Sequence, residues 1–270
     1  MDFNNDKQSR LDREGHPAST YVKVDSLSID QVKTPTYTEV EHLTWQKLIK
    51  KQSKLCPERA CREFLEGLEK LELPKDQIPT LQSVSSKIKK QTGWELIRVD
   101  GLVHPKDFFE LLSQKKFPST DFIREQKDID YTPSPDMFHD LFGHCPLLTN
   151  EEFTHFFQNF GHIGVQAYNH YPEDHPIHDS IQRLYWFSVE FGLIKRGNDI
   201  KAYGAGTISS PEEIQFALSN KCQRNPFKTE VVSQKEFDIW HLQDIVYVIN
   251  SWQELENDLN SWAKKHKIIV

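Results

Sequence analysis

The segment RLYWFSVEFGLI, residues 183 to 194, constrains the fold more than any other part of the chain. After Arg183, its only charged residue is Glu190, and its other side chains are apolar nearly all round a helix. Such a helix is packed on several sides. An ionised carboxylate inside it is strongly destabilising unless it is paired or bound to a cation. The segment therefore predicts a buried helix whose one acid either pairs, for example with Arg183, or binds a metal.

Helical patterns dominate the rest of the 270 residues. Apolar side chains recur at three- and four-residue steps after Pro57, in residues 151–161 and in residues 252–262, and Pro57 is expected in the first turn of its helix. Strand patterns are limited to TEVVS (229–233) and DIVYVI (244–249). Residues 1–35 are polar and have no visible period. We therefore predict a mainly α fold with small β-sheets, in which residues 36–270 form a single domain behind an N-terminal arm.

Charge and hydropathy limit the partners and the compartment. The net charge of −7 is spread along the chain, whereas a nucleic-acid-binding protein needs a basic face. No apolar run approaches the roughly 20 residues that span a membrane, and the N-terminus has no apolar signal region. The cysteines are Cys56, Cys61, Cys145 and Cys222, and none forms a C-x-x-C pair. We expect reduced thiols in a cytoplasmic protein with no nucleic acid or membrane partner.

A second unusual segment is PDMFHDLFGHCPLL, residues 135 to 148. Side chains five residues apart on a regular helix point roughly 140° apart, so His139 and His144 could not bind one metal from an unbroken α-helix. A helix that starts at Ser134-Pro135 and ends at Gly143 would let His144 turn back toward His139. The spacing alone fits ordinary buried histidines equally well.

Joined to Glu190, the two histidines would complete a known ligand set. Two imidazoles and one carboxylate around open positions are typical of non-haem iron(II) oxygenases. The same set on zinc would favour a hydrolase, for which Asp140 is the one obvious general base. A helical binding protein with structural histidines is a third interpretation.

Three longer segments resemble the catalytic domain of the aromatic amino acid hydroxylases, in particular the short bacterial type of phenylalanine 4-hydroxylase. They are YTPSPDMFHDLFGHCPLL, LYWFSVEFGL and IKAYGAGTISS, within a similarity that runs from about Val99 to Trp262. The resemblance implies that residues 36–270 are a catalytic domain. It also implies an iron(II)- and tetrahydropterin-dependent monooxygenase, with tetrahydrobiopterin or a related reduced pterin, that converts L-phenylalanine to L-tyrosine with O₂.

The resemblance also implies a role for individual positions. The iron ligands would be His139, His144 and Glu190. The amino acid pocket would be formed by Arg124, Thr132, Pro135, Trp186, Gly206, Ser209 and Glu213, with Arg124 holding the substrate carboxylate. The pterin would be bound by Val99, Gly101, Val103, Phe108, Asp140 and Tyr185, with Phe108 stacked on its ring.

Some features depart from the family or leave a choice within it. Asp140 stands where many relatives have glutamate, which implies a water-bridged pterin contact. The chain lacks both a regulatory domain and a long oligomerisation helix, so a monomer that binds only small molecules is expected. Ile239 is apolar, as in the phenylalanine enzymes, but the neighbouring Asp238 would resemble the tyrosine enzymes if the alignment slipped by one residue. A tyrosine or tryptophan hydroxylase is therefore the alternative within the family.

Overall fold

The computed structural model describes residues 21–24, 29–130 and 135–269, and helices dominate these residues. The α-helices are α1 (Glu39–Arg59), α2 (Arg62–Leu71), α3 (Leu81–Thr92), α4 (Pro105–Ser113), α5 (Glu151–His170), α6 (Ile177–Tyr185), α7 (Ala205–Ser209), α8 (Pro211–Ala217), α9 (Thr229–Val232) and α10 (Trp252–Lys265). Two further segments have the wider π-helical geometry, namely π1 (His139–His144) and π2 (Trp186–Glu190), which continues α6. The strands are β1 (Glu95–Arg98), β2 (Lys116–Ser119), β3 (Leu193–Arg196), β4 (Asp199–Ala202), β5 (Gln223–Pro226) and β6 (Ile245–Ile249).

Side-chain caps fix the starts of the long helices. Before α1, the Thr38 hydroxyl accepts from the Glu41 backbone N–H, and the Glu41 carboxylate accepts from the Thr38 N–H at 2.7 Å. This reciprocal pair satisfies two donors that the first helical turn leaves without partners. Asn150 caps α5 and Ser251 caps α10 more simply, each side chain accepting from the N–H three residues on.

Two local predictions are wrong. Pro57 lies in the last turn of α1, and the next helix begins only at Arg62 because Cys61 donates its N–H to the Ala202 carbonyl (2.8 Å) and leaves the helical path. Residues 229–232 form the short helix α9. Its Val232 is fully buried, so packing overrides the strand preference of the β-branched run. The predicted strand at 244–249 is present as β6.

Both sheets deliver chain segments to one region. β1 and β2 pair in parallel, so the segments that follow them, from Val99 and from Thr120, leave the sheet at the same edge. The second sheet has the order β4-β3-β6-β5, in which β3 and β4 are antiparallel and the other pairs are parallel. Its strand β3 follows π2 along the chain, and β4 leads through Gly204 into α7.

The described part of the predicted arm lies against the rest of the protein. The Val22 N–H donates to the Leu102 carbonyl at 2.9 Å, and Val22 forms a parallel bridge with Val103. Ile29 is buried, and its carbonyl accepts from the Gln82 side chain at 3.1 Å. None of the described helices combines the length and the hydrophobicity that crossing a bilayer requires.

Candidate metal centre and adjoining cavity

The π1 helix places His139 and His144 on one side. Its defining bond runs from the Cys145 N–H to the Asp140 carbonyl at 3.1 Å, five residues apart. Side chains five apart therefore lie nearly one above the other, and the Nε2 atoms of the two histidines are 3.0 Å apart. The predicted helix end at Gly143 is wrong, because the helix continues through His144. Gly143 instead permits close packing, since a Cβ there would lie 2.9 Å from the Ala205 carbonyl oxygen of α7.

The start of this helix also differs from the prediction. The helical turn begins after Asp136, whose Oδ1 accepts from the His139 N–H at 3.0 Å. Asp136 therefore caps the helix and fixes the backbone of the first histidine. Pro135 precedes the cap, and the predicted cap Ser134 lies outside the described residues.

The opposite face of π1 is buried in aromatic packing. Phe138 and Phe142 stack with their ring centroids 4.9 Å apart. Trp45 of α1 packs edge-on against Phe138, and Phe64 of α2 packs edge-on against Phe142. Because the apolar face is held by two helices, the histidines are directed to the other face.

Glu190 completes the cluster from the second π-helix. The Phe191 N–H donates to the Trp186 carbonyl at 2.9 Å, again five residues apart. The Glu190 carboxylate oxygens lie 3.1 Å from His144 Nε2 and 3.4 Å from His139 Nε2. The alternative pairing with Arg183 is not formed, since Arg183 binds Glu236. One donor atom from each of the three residues lies within 4.8 Å of the other two, which brings the predicted ligand set together.

The charge states of this cluster suit a cation. Burial lowers the pKa of His139 to about 4, so its imidazole is neutral near pH 7. Burial alone would raise the pKa of Glu190, but the neighbouring imidazoles outweigh it and bring the pKa to about 2. A neutral imidazole and an anionic carboxylate are the forms that bind metals. The donor set therefore fits iron(II).

Ser209 orients the first histidine. Its Oγ lies 3.0 Å from His139 Nδ1, so an N–H at Nδ1 leaves the Nε2 lone pair directed at the cluster. Ser209 ends α7, and α7 is attached to α1 by a hydrogen bond from the fully buried Gln52 amide to the Ile208 carbonyl. Helix α7 thus carries Ser209, which binds Nδ1 of His139 and leaves Nε2 facing the cluster.

A cavity of about 320 Å³ opens beside the cluster. Most of the predicted site residues line it. They are Val99, Gly101, Val103, Phe108, Arg124, Pro135, His139, Asp140, His144, Tyr185, Trp186, Glu190, Gly206 and Ser209. Among the described residues, Glu213 does not line the cavity, and Thr132 lies outside the described part of the chain.

Arg124 reaches the cavity with a fixed orientation. Its Nε and Nη2 atoms donate to the two carboxylate oxygens of Asp136 at 2.9 and 2.7 Å. Both side chains are almost completely buried. Burial opposes ionisation of Asp136, yet the Arg124 guanidinium holds the pKa of this carboxyl below its usual range. Sequence reasoning missed this pairing, since no local pattern connects Arg124 with Asp136.

Comparison with known proteins supports this arrangement. Residues 8–269 match the family model described as biopterin-dependent aromatic amino acid hydroxylase. The chain belongs to this family. The phenylalanine-4-hydroxylase of Pseudomonas aeruginosa is 37% identical to this hydroxylase over 219 residues, which are 81% of each chain.

Two solved structures of the phenylalanine hydroxylase from Chromobacterium violaceum are similar to this one. The structure with bound iron and phenylalanine has a TM-score of 0.77 at 36% identity, over 85% of this chain and 83% of that one. The structure with bound iron(III) and 7,8-dihydrobiopterin has a TM-score of 0.81 at 35% identity, over 91% and 88% of the two chains. The predicted family and fold class are therefore confirmed.

One side of the hydroxylase cavity is formed by the predicted pterin residues. The rings of Phe108 and Tyr185 meet edge-on with centroids 5.2 Å apart. Asp140 is buried beside them, and its Oδ2 accepts from the Thr120 N–H at 2.8 Å and from the Thr120 hydroxyl at 3.1 Å. Burial raises the pKa of Asp140 to about 7. Thr120, the residue that follows β2, therefore already binds one oxygen of the Asp140 carboxyl.

The other side contains Trp186 together with a segment that the family motifs do not include. Phe237 stacks on Trp186 with centroids 4.4 Å apart, and both Phe237 and Ile239 line the cavity. Asp238 is instead mostly exposed and pairs with His241. Glu213 lies behind this wall, fully buried, where its Oε1 accepts from the Gln243 N–H at 3.1 Å. No periodic pattern marks Phe237 or Gln243 in the sequence, so sequence reasoning missed both.

Proposed function

We propose that this chain is a phenylalanine 4-monooxygenase that depends on iron(II) and a tetrahydropterin. It converts L-phenylalanine to L-tyrosine with O₂. The observation that carries the proposal is the convergence of His139, His144 and Glu190 at one end of an apolar cavity. The predicted activity and cofactors are supported by relatives named phenylalanine-4-hydroxylase and by the iron, phenylalanine and dihydrobiopterin in their structures.

His139, His144 and Glu190 would hold the iron. Two imidazoles and one carboxylate bind on one face and leave other positions open. When bound, iron(II) and the reduced pterin supply the electrons and the activation of O₂. Ser209 contributes by fixing His139, and the aromatic packing of π1 contributes by restricting movement of both histidines.

Arg124 would bind the carboxylate of the amino acid. Asp136 holds the guanidinium plane, so its remaining N–H groups offer a preset orientation at low entropic cost. Pro135, Trp186, Gly206 and Ser209 would surround the rest of the substrate, and Thr132 has the same proposed role outside the described residues. Glu213 would act from behind this wall, since it does not line the cavity.

The pterin would occupy the opposite side, against Phe108. Val99, Gly101 and Val103 follow β1 and present the cavity edge on which a flat ring could lie. Tyr185 closes the space behind Phe108. This wall is largely apolar, which favours stacking and excludes water from the region between pterin and metal. Asp140 would contact the pterin through its less occupied oxygen or through water.

Phenylalanine is the favoured substrate within the family. Ile239 lines the cavity while Asp238 points to solvent, so the wall near the substrate ring offers no carboxylate to a phenol or catechol. The zinc hydrolase is disfavoured because residues 8–269 match a family of biopterin-dependent hydroxylases. A non-enzymatic binding protein is disfavoured by membership of a hydroxylase family.

The finer predictions on organisation are proposed with this function. We infer a monomer in the cytoplasm, with an arm over residues 1–35 and the catalytic domain over residues 36–270. All four cysteines lie in the described part of the chain as buried free thiols, which supports a reducing compartment. The partners would be phenylalanine, O₂ and the pterin, without nucleic acid or membrane.

The test is turnover of the purified protein. Protein prepared anaerobically under reducing conditions should retain iron and form tyrosine from phenylalanine only when reduced pterin is added, with less product from tyrosine or tryptophan as substrate. Glu190→Ala should lose both bound iron and coupled turnover, whereas Glu58→Ala, at an exposed carboxylate, should retain both. Bound zinc with no turnover of any aromatic amino acid would refute the proposal.

A further inference from the structure

Gln243 has a backbone that is anchored on two sides. Its N–H donates to Glu213 Oε1 of α8 at 3.1 Å, and its carbonyl accepts from the Cys222 thiol at 3.3 Å. The residue is only 5% exposed. Gln243 therefore lies on a fixed part of the protein, immediately before the segment that enters β6.

The side chain of Gln243 joins two separate segments. Its Oε1 accepts from the Trp186 indole N–H at 3.0 Å. Its Nε2 donates to the backbone carbonyls of Asp238 and His241 at 2.7 and 2.9 Å. An indole N–H can only donate and a carbonyl can only accept, so these partners fix the orientation of the amide. One side chain thus holds π2 and the 237–241 segment in register.

These two segments form one wall of the cavity. Trp186 comes from π2. Phe237 and Ile239 come from the 237–241 segment, whose backbone carbonyls accept from the Gln243 amide. The Trp186 and Phe237 rings are nearly parallel, with an interplanar angle of 14°. A shift of either segment would therefore move aromatic surface next to the metal ligands.

Buried indole N–H groups among the described residues do not generally have a hydrogen-bond partner, so the one at Trp186 is specific to its position. In the described part of the chain, the indole N–H groups of Trp94, Trp252 and Trp262 are buried without a hydrogen-bond partner. The fold tolerates such groups in its core. The hydrogen bond from Trp186 to Gln243 is therefore a local feature of the cavity wall, and it fixes the direction in which the indole ring points.

We propose that Gln243 is a positioning residue for the amino acid substrate, which acts by fixing the Trp186 ring and the 237–239 segment as one wall. This inference rests on the proposed function. Gln243 does not itself line the cavity among the described residues, so its effect reaches the substrate only through this wall.

Gln243→Met tests the role, because methionine has a similar length and volume but neither accepts strongly nor donates. Since the substitution removes all three side-chain hydrogen bonds of Gln243, we expect the KM for phenylalanine to rise by at least about tenfold, the effect of losing one buried hydrogen bond, while the KM for the pterin changes less than about twofold. The control Gln253→Met, on the exposed face of α10, should leave both constants unchanged. Equal changes in the two KM values, or none, would overturn the proposal.

Trp186→Phe removes the hydrogen bond between Trp186 and Gln243 by deleting its donor, the indole N–H. In that background, Gln243→Met should add less than it does in the wild type, since only its hydrogen bonds to the Asp238 and His241 carbonyls remain to be lost. Full additivity would show that Gln243 does not act through Trp186. The control Trp262→Phe also shortens a buried indole, but on α10 and away from the cavity. It should lower stability without changing the KM for phenylalanine.

A measurement without turnover separates this inference from the proposed function. In protein labelled with ¹⁵N-tryptophan, the Trp186 indole signal is the one lost in Trp186→Phe, and Gln243→Met should shift it and speed its hydrogen exchange. An unshifted signal would overturn the inference even if the wild type is active. If the wild type hydroxylates no aromatic amino acid, the proposed function fails, whatever the indole signal does.

Discussion

Glu213 makes stability depend on pH in a way that one substitution can isolate. The carboxyl is fully buried, and its one hydrogen bond among the described residues comes from the Gln243 N–H to Oε1, while Oε2 has no partner there. Burial raises the pKa of Glu213 from its ordinary value of 4.5 to about 8, and the Gln243 hydrogen bond opposes only part of this rise. Near pH 7 the folded protein therefore holds a neutral carboxyl at Glu213, whereas the unfolded chain ionises it.

The sign and size of the effect follow from proton linkage. Below pH 4.5 the carboxyl is protonated in both states, so its contribution to stability is fully present. As the pH rises toward 8, the unfolded state gains free energy from ionisation that the folded state does not, and the free energy of unfolding falls by about 1.4 kcal/mol per pH unit. Glu213→Gln cannot ionise and should lack this slope. Between pH 5.5 and 7.5, its stability relative to the wild type should rise by about 3 kcal/mol.

Urea unfolding followed by circular dichroism, at several pH values from 5.5 to 7.5, measures this difference. Other titrating groups contribute equally to both proteins and cancel in the comparison. Glu212→Gln is the matched control, because Glu212 is the exposed neighbour on the same helix and should give a curve parallel to the wild type. Parallel curves for Glu213→Gln as well would refute the reasoning that this carboxyl is neutral in the folded protein.

Three further substitutions test the site and its support. Ser209→Ala should weaken iron retention about 10- to 100-fold through loss of the hydrogen bond to the first histidine ligand, which metal titration measures; unchanged affinity would argue against this orienting role. Arg124→Ala should raise the KM for phenylalanine far more than that for the pterin and destabilise the protein by about 3–5 kcal/mol, since Asp136 is left buried and unpaired; equal effects on both KM values would contradict the carboxylate clamp. Gly67→Ala should lower thermal stability by about 2 kcal/mol or more because a Cβ there would overlap the Pro146 carbonyl; an unchanged melting temperature would show that α2 can shift.

The sequence was most informative where chemistry and motif coincide. A single acid in an apolar helix and two histidines at a five-residue spacing offered a candidate ligand set, which the family resemblance favoured over its alternatives, and the structure places Glu190, His139 and His144 together. The family resemblance named fourteen of the residues that line the cavity, nine of them within the three quoted segments. The fold class followed from helical periodicity, which is a strong signal in α5 and α10.

The sequence was least informative where distant residues meet. The Arg124–Asp136 pair and the Trp186–Gln243 hydrogen bond depend on tertiary packing, and the second joins residues 57 positions apart. No local period indicates such a pair. The run at 229–232 was predicted as a strand from its β-branched residues, yet burial of Val232 beside α6 and α10 decides for a helix.

The π-helical geometry of the segment that carries the two histidines has a physical reason. An α-helix separates residues five apart by roughly 140°, so a His-x₄-His pair on one helix must either break it or widen it. Breaking it would leave backbone groups to be satisfied in a buried region, where each costs about 1–3 kcal/mol. Widening it keeps the hydrogen bond from Cys145 to Asp140 and aligns the histidines. The poorer packing of a π-turn is then offset by the stacking of Phe138 on Phe142. This is why one short segment carries the two histidines on one face and the two aromatic rings on the other.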